Sequence, residues 1–118
     1  MLDIEERDKA EVLQIINSYL PDIEVRAFGS RVTGRAGKFS DLDLVVMTKK
    51  TLAFDTKIAL QDSFSDSNLP FTVDIVDWAS TDESFRKIIQ NKSEVIQEAL
   101  KGWIDGISYR NSTERRSS

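Results

Sequence analysis

The residues best suited to chemistry in this chain are Gly29-Ser30 and, after a spacer of ten residues, Asp41-Leu42-Asp43. On a strand, side chains at i and i+2 point to the same face, so Asp41 and Asp43 are expected to project together from backbone positions about 6.5–7 Å apart. Carboxylates at that separation can converge on one or two cations, and paired metals in phosphoryl-transfer sites lie about 3.5–4 Å apart. Gly29 would let the backbone approach a phosphate closely. If a helical turn follows, its N–H groups and the Ser30 hydroxyl become anion donors. Arg31, Arg35 and Lys38 lie in an acid-free stretch and are candidates to neutralise phosphate oxygens. Asp74, flanked by Val73 and Ile75, is the expected third acid, with Asp77 as the competing choice and expected to be the more exposed.

The elements that must position these groups are legible in part. Residues 5–20 read as an amphipathic helix ended by Pro21, and 23–28 alternate as a half-buried strand. Residues 31–40 are expected as a short helical turn and loop, 41–47 as a second strand and 52–64 as a helix. Residues 71–76 read as a third strand. Ser80 or Thr81 then looks like the N-cap of a final helical region, and Val95 and Ile96 are assigned to its apolar positions. The expected fold class is α/β (α+β): a small mixed β-sheet with helices packed on one side. Residues 1–107 are expected as one domain and 108–118 as a polar, disordered tail.

Composition narrows the chemistry. The 118 residues contain no cysteine and no histidine, which excludes disulfides, thiolate metal sites and histidine acid–base catalysis. Any metal should be a hard ion held by oxygen, Mg²⁺ being the natural candidate. A net charge of −4 argues against direct nucleic-acid binding, whereas the local cluster of Arg26, Arg31, Arg35 and Lys38 suits a small anion. The acidic start MLDIEERDKA lacks the pattern of a signal peptide, and no apolar run suggests a membrane span. A cytoplasmic location is expected. Trp78 and Trp103 are expected as packing groups rather than base-stacking ones.

The stretch AFGSRVTGRAGKFSDLDLVV resembles the nucleotidyltransferase superfamily that includes DNA polymerase β and kanamycin nucleotidyltransferase. The family pattern is Gly-Ser, a spacer, Asp-x-Asp and a later strand acid, and the similarity extends over about residues 23–97. The small size looks like the minimal nucleotidyltransferase group. The resemblance implies Mg²⁺ ligands at Asp41, Asp43 and Asp74 in a two-ion site. It also implies ATP or another nucleoside triphosphate as substrate, with transfer of a nucleoside monophosphate and release of pyrophosphate. It further implies a helical HEPN-type partner in a toxin–antitoxin pair, in which the acceptor hydroxyl would lie on that partner. The chain shows no second domain of the kind larger relatives use as the far wall of the site, so a partner or a second copy in a homodimer is expected to supply it.

Overall fold

The computed structural model describes residues 2–99 and the backbone of two short strands at 103–104 and 107–108. Helix α1 (Glu6–Tyr19) carries Val12 and Ile16 on its buried stripe and acidic residues in its first turn, where the helix dipole favours them. Leu20 closes it, its N–H bonding to the Ile16 carbonyl, and Pro21 cannot extend it. Strand β1 (Val25–Phe28) then runs into the short helix α2 (Ser30–Thr33). Strand β2 (Leu42–Val46), helix α3 (Phe54–Ser65) and strand β3 (Val73–Asp77) follow. A 3₁₀ turn at Trp78–Ser80 leads to helix α4 (Glu83–Asn91) and strand β4 (Glu94–Gln97). Strands β5 (Trp103–Ile104) and β6 (Ile107–Ser108) pair antiparallel with each other.

The main sheet has the order β3-β2-β1-β4 and is mixed: β1 is antiparallel to β2 and β4, while β2 and β3 are parallel. The parallel pair requires a crossover, which α3 supplies. Alternation sorts the side chains. Val25 and Ala27, Leu42, Leu44 and Val46, and Val73 and Ile75 all enter one hydrophobic core with α1 and α3 residues such as Val12, Ile16, Leu60 and Phe64. Arg26, Phe28, Asp43, Val45, Asp74 and Val76 therefore occupy the opposite face.

Three sequence expectations need correction. The helices are not all on one side. Phe85 of α4 meets Phe28 edge to face, with ring centroids 5.3 Å apart, so α4 covers part of the second face. There Val45 and Ile89 are fully buried. The segment around Val95 and Ile96 is a strand, not helix. Helix α4 stops at Asn91, and Glu94–Gln97 then pairs with β1 across a register shift at Val25/Arg26. The Gln97 amide fixes that strand by donating to the carbonyls of Leu20 and Ile23, at 2.6 and 2.8 Å. The α4 cap is also neither Ser80 nor Thr81. Asp82 takes that place, its carboxylate accepting the Phe85 N–H at 2.8 Å. Trp78 packs as expected, with the Arg86 guanidinium 4.8 Å from its ring centre. The side chain of Trp103 and the tail from 109 onward lie outside the described residues.

Candidate active site

The site is assembled where β1 ends. Register places Phe28 opposite Asp43, and Asp43 directly beside Asp74. These three side chains share the second face in a row across three strands, about 4.8 Å apart per strand. Gly29 ends β1 with φ 82° and ψ −155°, a conformation essentially reserved for glycine. It is glycine for a second reason: a Cβ there would fall on the Asp43 carboxylate, with Cγ only 3.3 Å away. The turn and the acid are therefore fitted to each other. Gly29 also accepts the N–H groups of Val32 and Thr33, which opens α2. The N–H groups of Ser30 and Arg31, in its first turn, have no acceptor within the helix. Gly34, at φ 84°, closes it after one turn.

Electrostatics mark Asp43. Its carboxyl is held above the ordinary value of 3.8, first by burial and then by the neighbouring charges of Asp74 and Asp41. Asp41 lies just before β2 and is exposed, as is Asp74. Among the described residues no group of three acidic side chains is positioned to hold an ion unaided. The donor set nonetheless suits Mg²⁺, which characteristically takes one or two carboxylates and completes its shell with water and substrate phosphate. A cation held by these carboxylates would offset the repulsion that adds to burial in raising the Asp43 pKa.

The two candidate third acids separate cleanly. Asp74 lies beside Asp43, whereas Asp77 is on the opposite face and only 3% exposed, which reverses the expected order of exposure. The cost of that burial is offset by hydrogen bonds: Asp77 Oδ2 accepts the Leu52 N–H at 2.7 Å, and Ser80 donates to the carboxylate as well. The net effect holds its pKa below the ordinary value. Asp77 ties the β2–α3 loop to β3 and does not face the row of site acids.

The basic cluster is divided too. Arg31, expected to face phosphate, is 5% exposed. Its guanidinium donates to the carbonyls of Ser40 and Asp3, both at 2.9 Å, and of Lys38 at 3.1 Å, and it stacks 4.3 Å from the centre of the Phe71 ring. Arg31 is thus a strut. It joins the helix after Gly29-Ser30 to the loop before Asp41 and to the segment before Asp74. Arg26, earlier in β1 on the same face as Phe28, pairs with Glu24. Arg35 and Lys38 remain exposed on the α2–β2 loop. Two residues were missed from sequence. Phe28 flanks Asp43, and Phe85 packs on it. The alternation of β1 placed Phe28 on the acid-bearing face and was the available signal.

Comparison with known proteins bears on this arrangement. The model of the polymerase beta nucleotidyltransferase family matches residues 11–101. The chain is 47% identical over 100 residues to a probable protein adenylyltransferase MntA of Haemophilus influenzae, covering 85% of this chain and 88% of that one. Among solved structures it resembles a toxin–antitoxin complex with AMP-PNP, at 20% identity and a TM-score of 0.65, over 79% of this chain and 75% of that one. It also resembles a complex of a tri-AMPylated HEPN toxin with an MNT antitoxin from Shewanella oneidensis. That match is 17% identical with a TM-score of 0.60, over 81% and 74% of the two chains. These structural likenesses establish the fold, which is that of a nucleotidyltransferase, and the matched span includes the whole row from Gly29 to Asp74. The chain belongs to the polymerase β-like nucleotidyltransferase family.

Proposed function

We propose that this protein transfers AMP from ATP to a hydroxyl group of a HEPN-type partner protein, as the antitoxin of a two-protein module. The observation that carries the reading is the fit between the Gly29 turn and Asp43, with Asp74 next in the row. The relative named as a protein adenylyltransferase and the neighbour complexes holding AMP-PNP or a tri-AMPylated HEPN toxin support the choice of nucleotide and partner.

In this reading Asp41 and Asp43 would hold the nucleotide metal, and Asp74 would help hold a second. Bound Mg²⁺ would supply charge neutralisation on the phosphates and on the departing pyrophosphate. The Ser30 hydroxyl and the first-turn amides of α2 grip the β- and γ-phosphates, with Arg35 and Lys38 reaching them from the loop. Arg31 does not touch phosphate but keeps the turn and the acids in register. Asp74 orients the acceptor hydroxyl and accepts its proton. The acceptor oxygen bonds to the α-phosphorus as the bond from that phosphorus to the bridging oxygen breaks. The products are an adenylylated hydroxyl and pyrophosphate. Catalysis is mainly positioning and electrostatics.

The test is to purify the chain with and without the protein encoded beside it and add Mg²⁺ and ATP labelled at the α-phosphate. Label on the partner supports the reading. A tight complex that never takes up label, under conditions where ATP binds, would instead mean that the antitoxin works by masking alone.

A further inference from the structure

The order of groups across the sheet gives the reaction a direction. The phosphate-binding turn lies at the end of β1, Asp43 is on β2 and Asp74 on β3. In-line displacement needs the entering and leaving oxygens on opposite sides of the α-phosphorus. With pyrophosphate held at the β1 end, the acceptor must arrive from the β3 side. Strand β3 is the edge of the sheet, and beyond it lies a groove of about 690 Å³. Of the site acids only Asp74 lines that groove; Asp41 and Asp43 do not. Phe64 and Phe71 form its buried apolar floor, while Gln61, Ser65 and Thr72 offer polar groups along it. At its rim Phe39 is 69% exposed, an aromatic side chain with an apolar surface left to solvent. The volume falls within the roughly 300–1,000 Å³ of clefts that enclose a ligand, and aromatic side chains, Phe among them, are enriched in protein interfaces.

We propose that this groove receives the acceptor-bearing segment of the partner protein. The segment's hydroxyl residue reaches Asp74, and an apolar residue beside it covers Phe39. The assignment rests on the adenylyl-transfer reading above. It makes Phe39 and the end of α3 determinants of which partner is modified, separate from the groups that hold ATP.

Phe39→Ala and Ser65→Arg change exposed positions, and their folding is to be checked first by circular dichroism and melting curves. Each is mixed with the partner protein, AMP transfer is followed as partner concentration varies, and ATP affinity is measured by titration calorimetry. Ile88→Arg, at an exposed apolar position on α4, serves as the comparison. Loss of one anchor residue should raise the KM for partner about tenfold or more, with kcat at saturating partner and ATP affinity unchanged, while Ile88→Arg matches wild type. Wild-type KM values in both groove variants, or a raised KM confined to Ile88→Arg, would overturn the groove assignment alone. If the wild-type protein labels no partner, the transfer reading fails and the groove assignment falls with it.

Discussion

Asp43 lies beside two like charges and partly out of water, and its raised pKa has a consequence for stability. A carboxyl that binds its proton more tightly in the folded than in the unfolded state favours folding fully below 3.8. That contribution is lost as pH rises through the raised value, so at neutral pH the charged cluster opposes folding. In metal-free protein, Asp43→Asn should therefore melt at a higher temperature than wild type at neutral pH. The gap should close as pH falls toward 3.8. Mg²⁺ with nucleotide should stabilise wild type more than the variant and reverse the order. Equal melting temperatures across the pH range would remove the electrostatic account of the row. The placing of Asp43 beside Asp74 was legible from strand alternation, whereas Asp41, expected on the same strand, lies just before it. Arg31 was not legible. A cation in a glycine-rich stretch looks the same whether it faces solvent or turns inward. The chain path that gathers the carbonyls of Asp3, Lys38 and Ser40 around it depends on contacts across 28 residues of sequence.

At the scale of elements, strand register decides between Asp74 and Asp77. Positions three apart on a strand face opposite ways, which puts Asp74 beside Asp43 and turns Asp77 toward Leu52. Asp77→Ala leaves the Leu52 N–H without its acceptor and should lower the unfolding free energy by about 1–3 kcal/mol in urea titrations, with ATP affinity unchanged. Asp74→Asn should leave stability intact and cut AMP transfer. The opposite pattern would exchange the two roles. Both strands were visible as apolar runs, but the acid nearer the strand end looked exposed because sequence cannot show the loop that folds back over it. Strand β4 was read as helix for a related reason. Glu94-Val95-Ile96-Gln97 carries too few residues to fix a period, and its identity comes from the β1 edge it joins. The cap assignment slipped by one or two residues because Ser80, Thr81 and Asp82 are all good N-caps, and the 3₁₀ turn before α4 uses the first two.

At the scale of the whole molecule, the second face of the sheet is closed by α4 over Phe28 and Val45, and exposed around Asp74. The domain therefore presents its acids at one border of the sheet. Among the described residues no helix is long and apolar enough to cross a membrane. The family match spans residues 11–101 of the 118, and in the proposed reading a partner supplies the far wall of the site. The expectation of such a partner comes from the motif and the size together, whereas the groove beside β3 was not legible, because Phe39 meets the end of α3 and residues 69–74 only in the fold. The central claim is that the row beside the Gly29 turn performs the transfer. It is tested most directly by the initial rate of AMP transfer to the partner at saturating Mg²⁺ and ATP, for wild type, Asp41→Asn and Asp43→Asn, each shown to be folded. The account predicts that either substitution slows transfer by about 100-fold or more, the scale lost when charge stabilisation is removed from a reaction centre. Transfer by both variants at the wild-type rate would contradict it.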